Sequence, residues 1–244
     1  MRGKYRGGRV TSNKLIKTKG IVLSEANYSE TDKILTILTY DLGKVSCIAK
    51  GARRNQSRFL ASSQLFAFSD LILFKGNGEL YHINSAELID SFYSLRYNLD
   101  KLDIAMECVK FVKDNTYESQ NTFNILKLII NTLYIISASE KNLTQIKNVF
   151  YIKFLCMLGF APQIKQCGIC GKCEELTAFS VKNKSVLCNE CRRKEDLDIS
   201  VGVRLALEYI VHSKLKDIFS FEVNEDVLKE LDLIRKIYVE TALN

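Results

Sequence analysis

The chain has 244 residues, 47% of them hydrophobic, and a formal net charge of +7. That apolar fraction excludes wholesale disorder, and the length allows one large domain or two to three small ones. No run is apolar enough to span a bilayer: Ile125–Ile136 is broken by Lys127, Asn131 and Thr132, and the N-terminus lacks the apolar core of a signal peptide.

These features place the expected compartment in the cytoplasm. The charge is uneven. Residues 1–58 hold 13 Lys/Arg against 4 Asp/Glu, and the remainder holds 22 against 24. The whole basic excess is therefore N-terminal, which points to a polyanionic partner, nucleic acid first.

Residues 1–13 are rich in glycine and basic side chains and poor in apolar ones. They read as an extension: a cloning scar, an upstream start codon or a basic arm that touches DNA. They are left out of the fold. From Lys14 to about Asp90 the pattern is strand-like. Leu15–Leu23 is β-branched and apolar, Lys33–Tyr40 reads KILTILTY, and Lys44–Lys50 alternates at period two. Phe66–Phe74 and Glu79–Leu88 are further runs, separated by a Lys75-Gly76-Asn77-Gly78 turn. Five short strands in about 75 residues predict an OB-fold barrel over 14–90, with a small sandwich as the other solution.

From Ser91 the period becomes helical. Leu99, Leu102, Ala105, Met106, Val109 and Val112 recur at helical steps, and Thr122–Ala138 and Leu143–Leu158 continue the pattern. Gly159-Phe160-Ala161-Pro162 ends it, since proline cannot continue a helix. Helices resume at about Val201–Ser213 and Glu225–Ala242. The predicted architecture is multidomain α+β: a five-stranded OB-fold barrel, a helical domain over 91–163 and 198–244, and an insertion at 164–197.

The insertion carries Cys167, Cys170, Cys188 and Cys191 in a C-x2-C-x17-C-x2-C pattern, the spacing of a zinc site. Each C-x2-C turn offers two sulfurs to one ion, and two turns complete a tetrahedron. Cys173 competes, because Cys170 and Cys173 form another C-x2-C pair. The 167/170 pair is favoured by its spacer and by Gly171 immediately after it. Ala178–Val181 and Ser185–Leu187 read as a hairpin around Lys182-Asn183-Lys184, the layout of a zinc ribbon. Four thiolates leave no position for water, so one structural Zn2+ is expected. Cys47, Cys108 and Cys156 fall at apolar positions and read as buried thiols.

Lys50-Gly51-Ala52-Arg53-Arg54-Asn55-Gln56-Ser57-Arg58 holds four basic residues in nine and no acid. A solvated loop is the plain reading. Its place on a predicted oligonucleotide-binding barrel favours phosphate contacts, for which arginine forks are suited. Tyr28, Phe59, Phe66 and Phe68 lie nearby and offer either core packing or base stacking. No catalytic constellation stands out. His82 and His212 are isolated, there is no Walker loop, and Glu30 with Asp32 reads as an ordinary exposed pair.

The ordered segments Leu15–Leu23, Tyr28–Ile34, Gly43-Lys44, Ala49–Arg54 and Leu158–Pro162 leading into the four-cysteine module resemble the bacterial recombination mediator RecO family. The resemblance spans about Lys14 to the C-terminus. It implies a non-enzymatic repair protein that binds single- and double-stranded DNA and anneals complementary strands. It further implies that the protein acts with RecR to load RecA on DNA coated with single-strand-binding protein (SSB), whose acidic tail meets the helical domain. DNA contact is carried onto Lys50, Arg53, Arg54 and Arg58, which match the family's basic stretch; Lys44 is expected to join them in gripping phosphates, and a nucleoid-associated cytoplasmic location follows. The other readings are a zinc-ribbon duplex-DNA-binding transcription or interaction protein, and a metallonuclease for which no ligands are apparent.

Overall fold

The computed structural model describes residues 14–76 and 78–243. The 1–13 extension and Asn77 of the predicted turn lie outside the described residues. The chain forms two compact units: residues 14–91 with Thr116–Thr122, and Phe92–Asn115 with 123–243.

The first unit contains β1 (Leu15–Asn27), β2 (Lys33–Thr39), β3 (Lys44–Ala49), β4 (Phe68–Lys75) and β5 (Tyr81–Asp90). Their order is β1-β2-β3-β5-β4, and the sheet closes into a barrel. Closure depends on β1 being long. Its first half pairs with β4, its second half pairs with β2, and the register shifts between Val22 and Ser24. The bulge bends the strand so that one chain segment serves two neighbours.

Gly20 sits where β1 passes from one partner to the other, facing both Thr39 and Ser69. A Cβ there would lie 2.7 Å from Ile37 Cγ2 and 3.0 Å from the Leu38 carbonyl, so the close approach requires glycine. The remaining contact is a short parallel pairing of Cys47 with Tyr81 and Ile48 with His82. Alternation fills the interior: Leu35, Ile37, Val45, Cys47, Ala49, Leu71, Leu73 and Ile83 pack with Ala52 and Phe59 from the β3–β4 connection.

The sequence pattern assigns 116–122 to the helical stretch, but those residues join the barrel unit. Lys44 N–H donates to the Tyr117 carbonyl (3.0 Å), Ser119 N–H to the Leu42 carbonyl (2.9 Å), and the Thr122 hydroxyl to the buried Thr39 carbonyl (2.7 Å). These bonds satisfy backbone groups at the β2–β3 turn, a gain that periodicity cannot register.

The second unit has a 3-10 turn at Tyr93–Tyr97, then α1 (Leu99–Asp114), α2 (Phe123–Ala138), α3 (Leu143–Met157), α4 (Val201–His212) and α5 (Glu225–Leu243). Side chains of Asn98, Asn142 and Ser200 cap α1, α3 and α4, accepting from backbone N–H groups of the first turn. Helix α3 is buried on nearly every side and packs against α1, α2, α4 and α5. Several of its buried polar groups meet specific partners. Lys153 Nζ donates to the carbonyls of Ile210, Val211 and Ser213 at 2.8–3.0 Å, satisfying the C-terminus of α4. Asn148 accepts from Arg235 Nε on α5 (3.1 Å), and Gln145 donates to the Phe221 carbonyl.

Between α3 and α4 lies a three-stranded sheet in the order β7-β6-β8, formed by β6 (Leu176–Ser180), β7 (Ser185–Cys188) and β8 (Leu197–Asp198). Phe179 of β6 meets Tyr238 of α5 edge-to-face, with ring centroids 5.6 Å apart. The sheet is thereby seated on the helices that flank it in sequence.

Candidate nucleic-acid interface and cysteine cluster

The β3–β4 connection is a chain of tight turns. Backbone N–H groups of Ala52, Arg54, Ser57 and Leu60 each donate to the carbonyl three residues earlier. Buried Ala52 and Phe59 pin the connection to the barrel core. Lys50, Arg53, Arg54 and Arg58 are left on the outside, all exposed.

A second loop holds this one in place. Between β1 and β2, the Ser29 hydroxyl accepts from the N–H groups of Thr31 (3.3 Å) and Asp32 (3.1 Å), forming a compact turn. Asp32 Oδ1 accepts from the Gly51 N–H at 2.8 Å, and the Thr31 hydroxyl donates to the same oxygen. The Arg53 N–H donates to the Thr31 carbonyl at 3.0 Å, and its guanidinium donates to the Ser29 carbonyl. Gly51 adopts a φ of +69°, a left-handed conformation that lets its amide face Asp32. The hydrogen bond from the Gly51 backbone, followed by that from Thr31, holds the Asp32 carboxyl below its ordinary value. The carboxylate therefore stays ionised and keeps accepting.

Arg58 is tied differently: Nη2 donates to the Asn84 carbonyl (2.9 Å) and the guanidinium lies 4.7 Å from the centre of the Phe59 ring. Lys44 stands apart. It opens β3 at the end opposite Lys50, roughly 20 Å away along extended chain, with its ammonium 5.6 Å from the Tyr117 ring centroid. The structure thus gathers Lys50, Arg53 and Arg54 beside the β1–β2 turn and leaves Lys44 separate. Sequence reading passed over Asp32 as an ordinary loop acid. The available signal was Ser29 three residues before it, the pattern of a side-chain-closed turn.

In the second unit, Cys167, Cys170, Cys188 and Cys191 come together with all four sulfurs within 4.8 Å of one another. The first knuckle is closed by Gly171 N–H to the Cys167 carbonyl (2.9 Å) and Cys167 N–H to the Lys172 carbonyl (2.8 Å), with Gly171 at φ +77°. The second is closed by Cys191 and Arg192 N–H groups on the Cys188 carbonyl, both at 3.1 Å. Gly168 N–H donates to the Val186 carbonyl, which sews the first knuckle to β7. The Cys170–Cys188 sulfur separation is 3.7 Å, against an edge of about 3.8 Å for a tetrahedron with 2.3 Å metal–sulfur bonds. The donor set and spacing fit a zinc ion.

Cys173 lies outside this group, exposed, with its sulfur 3.7 Å from the Gly171 carbonyl. Cys47 and Cys108 are buried, whereas Cys156 is only half-buried. Burial pushes the thiols of Cys47 up to about 12 and Cys156 to about 11, and raises Cys108 as well, so these remain neutral packing groups.

Two family models cover nearly the whole chain. Residues 14–92 match Recombination protein O N terminal, and residues 96–244 match Recombination protein O C terminal. The DNA repair protein RecO of Acetivibrio thermocellus is 40% identical over 231 residues, covering 93% of this chain and 92% of that protein. The proteins of the same name from Alkaliphilus metalliredigens and Clostridium novyi are 33% and 30% identical, each across at least 87% of both chains. The chain belongs to the RecO family. Among the described residues, no helix is long and apolar enough to cross a membrane.

Proposed function

We propose that this protein is a non-enzymatic recombination mediator in DNA repair. The observation that carries the reading is the latched basic loop on a closed barrel, in a chain of the RecO family. Its strand order, β1-β2-β3-β5-β4, supports an OB-fold spanning about 14–90. Lys50, Arg53 and Arg54 are read as the central phosphate contacts, with Arg58 beside them and Lys44 as an outlying one. Contacts of this kind give affinity for single and double strands without choosing sequence.

Neutralising phosphates on two complementary strands lowers their mutual repulsion, which favours annealing without any covalent step. The helical stretch, about 91–163 and 198–244, is read as the receiver of protein partners: RecR and the acidic tail of SSB, in the loading of RecA. Cys167, Cys170, Cys188 and Cys191 would hold one structural Zn2+, which supplies a rigid tetrahedral crosslink for the 164–197 insertion. The site of action on this reading is the cytoplasmic nucleoid.

The test is annealing of SSB-coated complementary oligonucleotides in moderate salt. The wild type should accelerate it and Arg53→Ala/Arg54→Ala should not. An inactive wild type, or a fully active double variant, would count decisively against the reading.

A further inference from the structure

Most aromatic rings of the barrel unit are already engaged. Phe59, Phe66 and Tyr81 are at most 7% exposed, and Phe74 is stacked on His82 with centroids 5.0 Å apart. Tyr117 is exposed, but the Lys44 ammonium lies over its ring. Tyr28 is different. It is 60% exposed, and among the described residues its ring meets no aromatic or cationic partner and its hydroxyl no hydrogen-bond partner.

Its backbone is nonetheless fixed. Tyr28 N–H donates to the Asp32 carbonyl at 3.0 Å, closing the same turn whose Ser29, Thr31 and Asp32 hold Gly51 and Arg53. An exposed aromatic side chain therefore projects from a fixed backbone position on the turn that holds Gly51 and Arg53. The acids nearby are Glu30 and Asp32 in the turn, the latter bonded to the Gly51 amide, and Glu25, which is paired with Lys33.

We propose that Tyr28 is a base-stacking residue that makes this basic surface favour single-stranded nucleic acid. The inference rests on reading the basic loop as a phosphate-binding surface. Phosphate contacts alone do not tell one strand from two. An aromatic face beside them does, because in a duplex each base is already stacked and paired, whereas an unpaired base can turn its face to the ring. Stacking of this kind tolerates any base. The bond from the Tyr28 N–H to the Asp32 carbonyl fixes the backbone position from which the ring projects.

The chain contains no tryptophan, so Tyr28→Trp introduces a single reporter at the proposed contact. The probes are an oligodeoxythymidylate and a mixed-sequence duplex of equal length, with binding followed independently by anisotropy of a labelled strand. Tryptophan emission should be quenched by the single strand and left nearly unchanged by the duplex.

Tyr28→Ala should weaken single-strand binding by roughly 5- to 100-fold and change duplex affinity less than about twofold. Tyr28→Phe, which keeps the ring face, should restore it. Emission unmoved while anisotropy reports bound single strand would overturn the proposal. So would equal losses on both probes, or no loss in Tyr28→Ala. If those results come with binding that still depends on Arg53 and Arg54, stacking alone falls and the phosphate surface stands. If the wild type binds neither probe, both fall together.

Discussion

The amide of Gly51 donates a 2.8 Å hydrogen bond to the carboxylate of Asp32, across 19 positions of sequence. This bond joins a turn with no net basic character to a loop with four basic residues in nine and no acid. A phosphate-binding loop works best when its shape is set before the ligand arrives, since ordering it on binding costs affinity. On the proposed reading of the loop, Asp32 acts as a positioning residue for the segment that carries Lys50, Arg53 and Arg54.

Asp32→Ala is expected to weaken binding of a DNA oligonucleotide by roughly 3- to 10-fold through lost preorganisation, while the melting temperature moves by only about 2 °C or less. Asp32→Asn, which keeps a neutral acceptor for the Gly51 amide, should fall between Ala and wild type. A large drop in melting temperature with unchanged affinity would instead make Asp32 a purely structural residue.

The same bond has a defined pH behaviour. The folded-state value of Asp32 is lowered, so its contribution is present above the ordinary carboxylate value near 3.9. It is lost only as pH falls through the lowered folded value. The Gly51 amide resonance should thus stay constant from about pH 8 down to about pH 5 and move only in more acidic solution. Movement centred near neutral pH would contradict the assignment.

Metal binding separates the cysteines. Native mass measurement should find one zinc per chain in the wild type and in Cys173→Ser, and none in Cys167→Ser or Cys188→Ser. Chelation should release the ion and expose 164–197 to protease while the barrel survives. Zinc retained by Cys167→Ser but lost by Cys173→Ser would reverse the ligand assignment.

Lys153 anchors α3 to the end of α4. Lys153→Met keeps the aliphatic stem but leaves three carbonyls without their donor, and should cost about 1–3 kcal/mol of stability. Desolvation lowers the lysine's own value. The unfolded chain therefore holds this proton to higher pH than the folded chain does. Stability from this group rises with pH between the lowered value and the ordinary one near 10.4. Urea midpoints measured from pH 7 to 10 should show that rise in the wild type and a flatter profile in Lys153→Met.

Gly20→Ala tests the barrel closure. Its new methyl would meet Ile37 Cγ2 at 2.7 Å with β1 bonded on both sides. Overpacking of this kind should destabilise by about 1–3 kcal/mol, read as a lower melting temperature with an unaltered cysteine cluster.

Much of this protein is legible along the chain. The five barrel strands and five α-helices follow from hydrophobic periods of two and of 3.6, which record whether alternate or every third and fourth residues face a core. The four clustered cysteines follow from C-x2-C spacing, because a tight turn brings two sulfurs together whatever surrounds it. The basic loop follows from composition.

Three things were settled only in three dimensions. Thr116–Thr122 belongs with the barrel, since its value lies in satisfying carbonyls and amides more than 70 residues away. Cys173, which the spacing left as a competitor, stands outside the cluster of four sulfurs. The turn of Tyr28 and Asp32 lies beside Gly51 and Arg53, a neighbourhood created by β2 and β3 pairing antiparallel. Local pattern reports what a residue does with its near neighbours in sequence. Barrel closure decided which distant backbone groups it would meet, and so turned an ordinary loop acid into the latch of the basic surface.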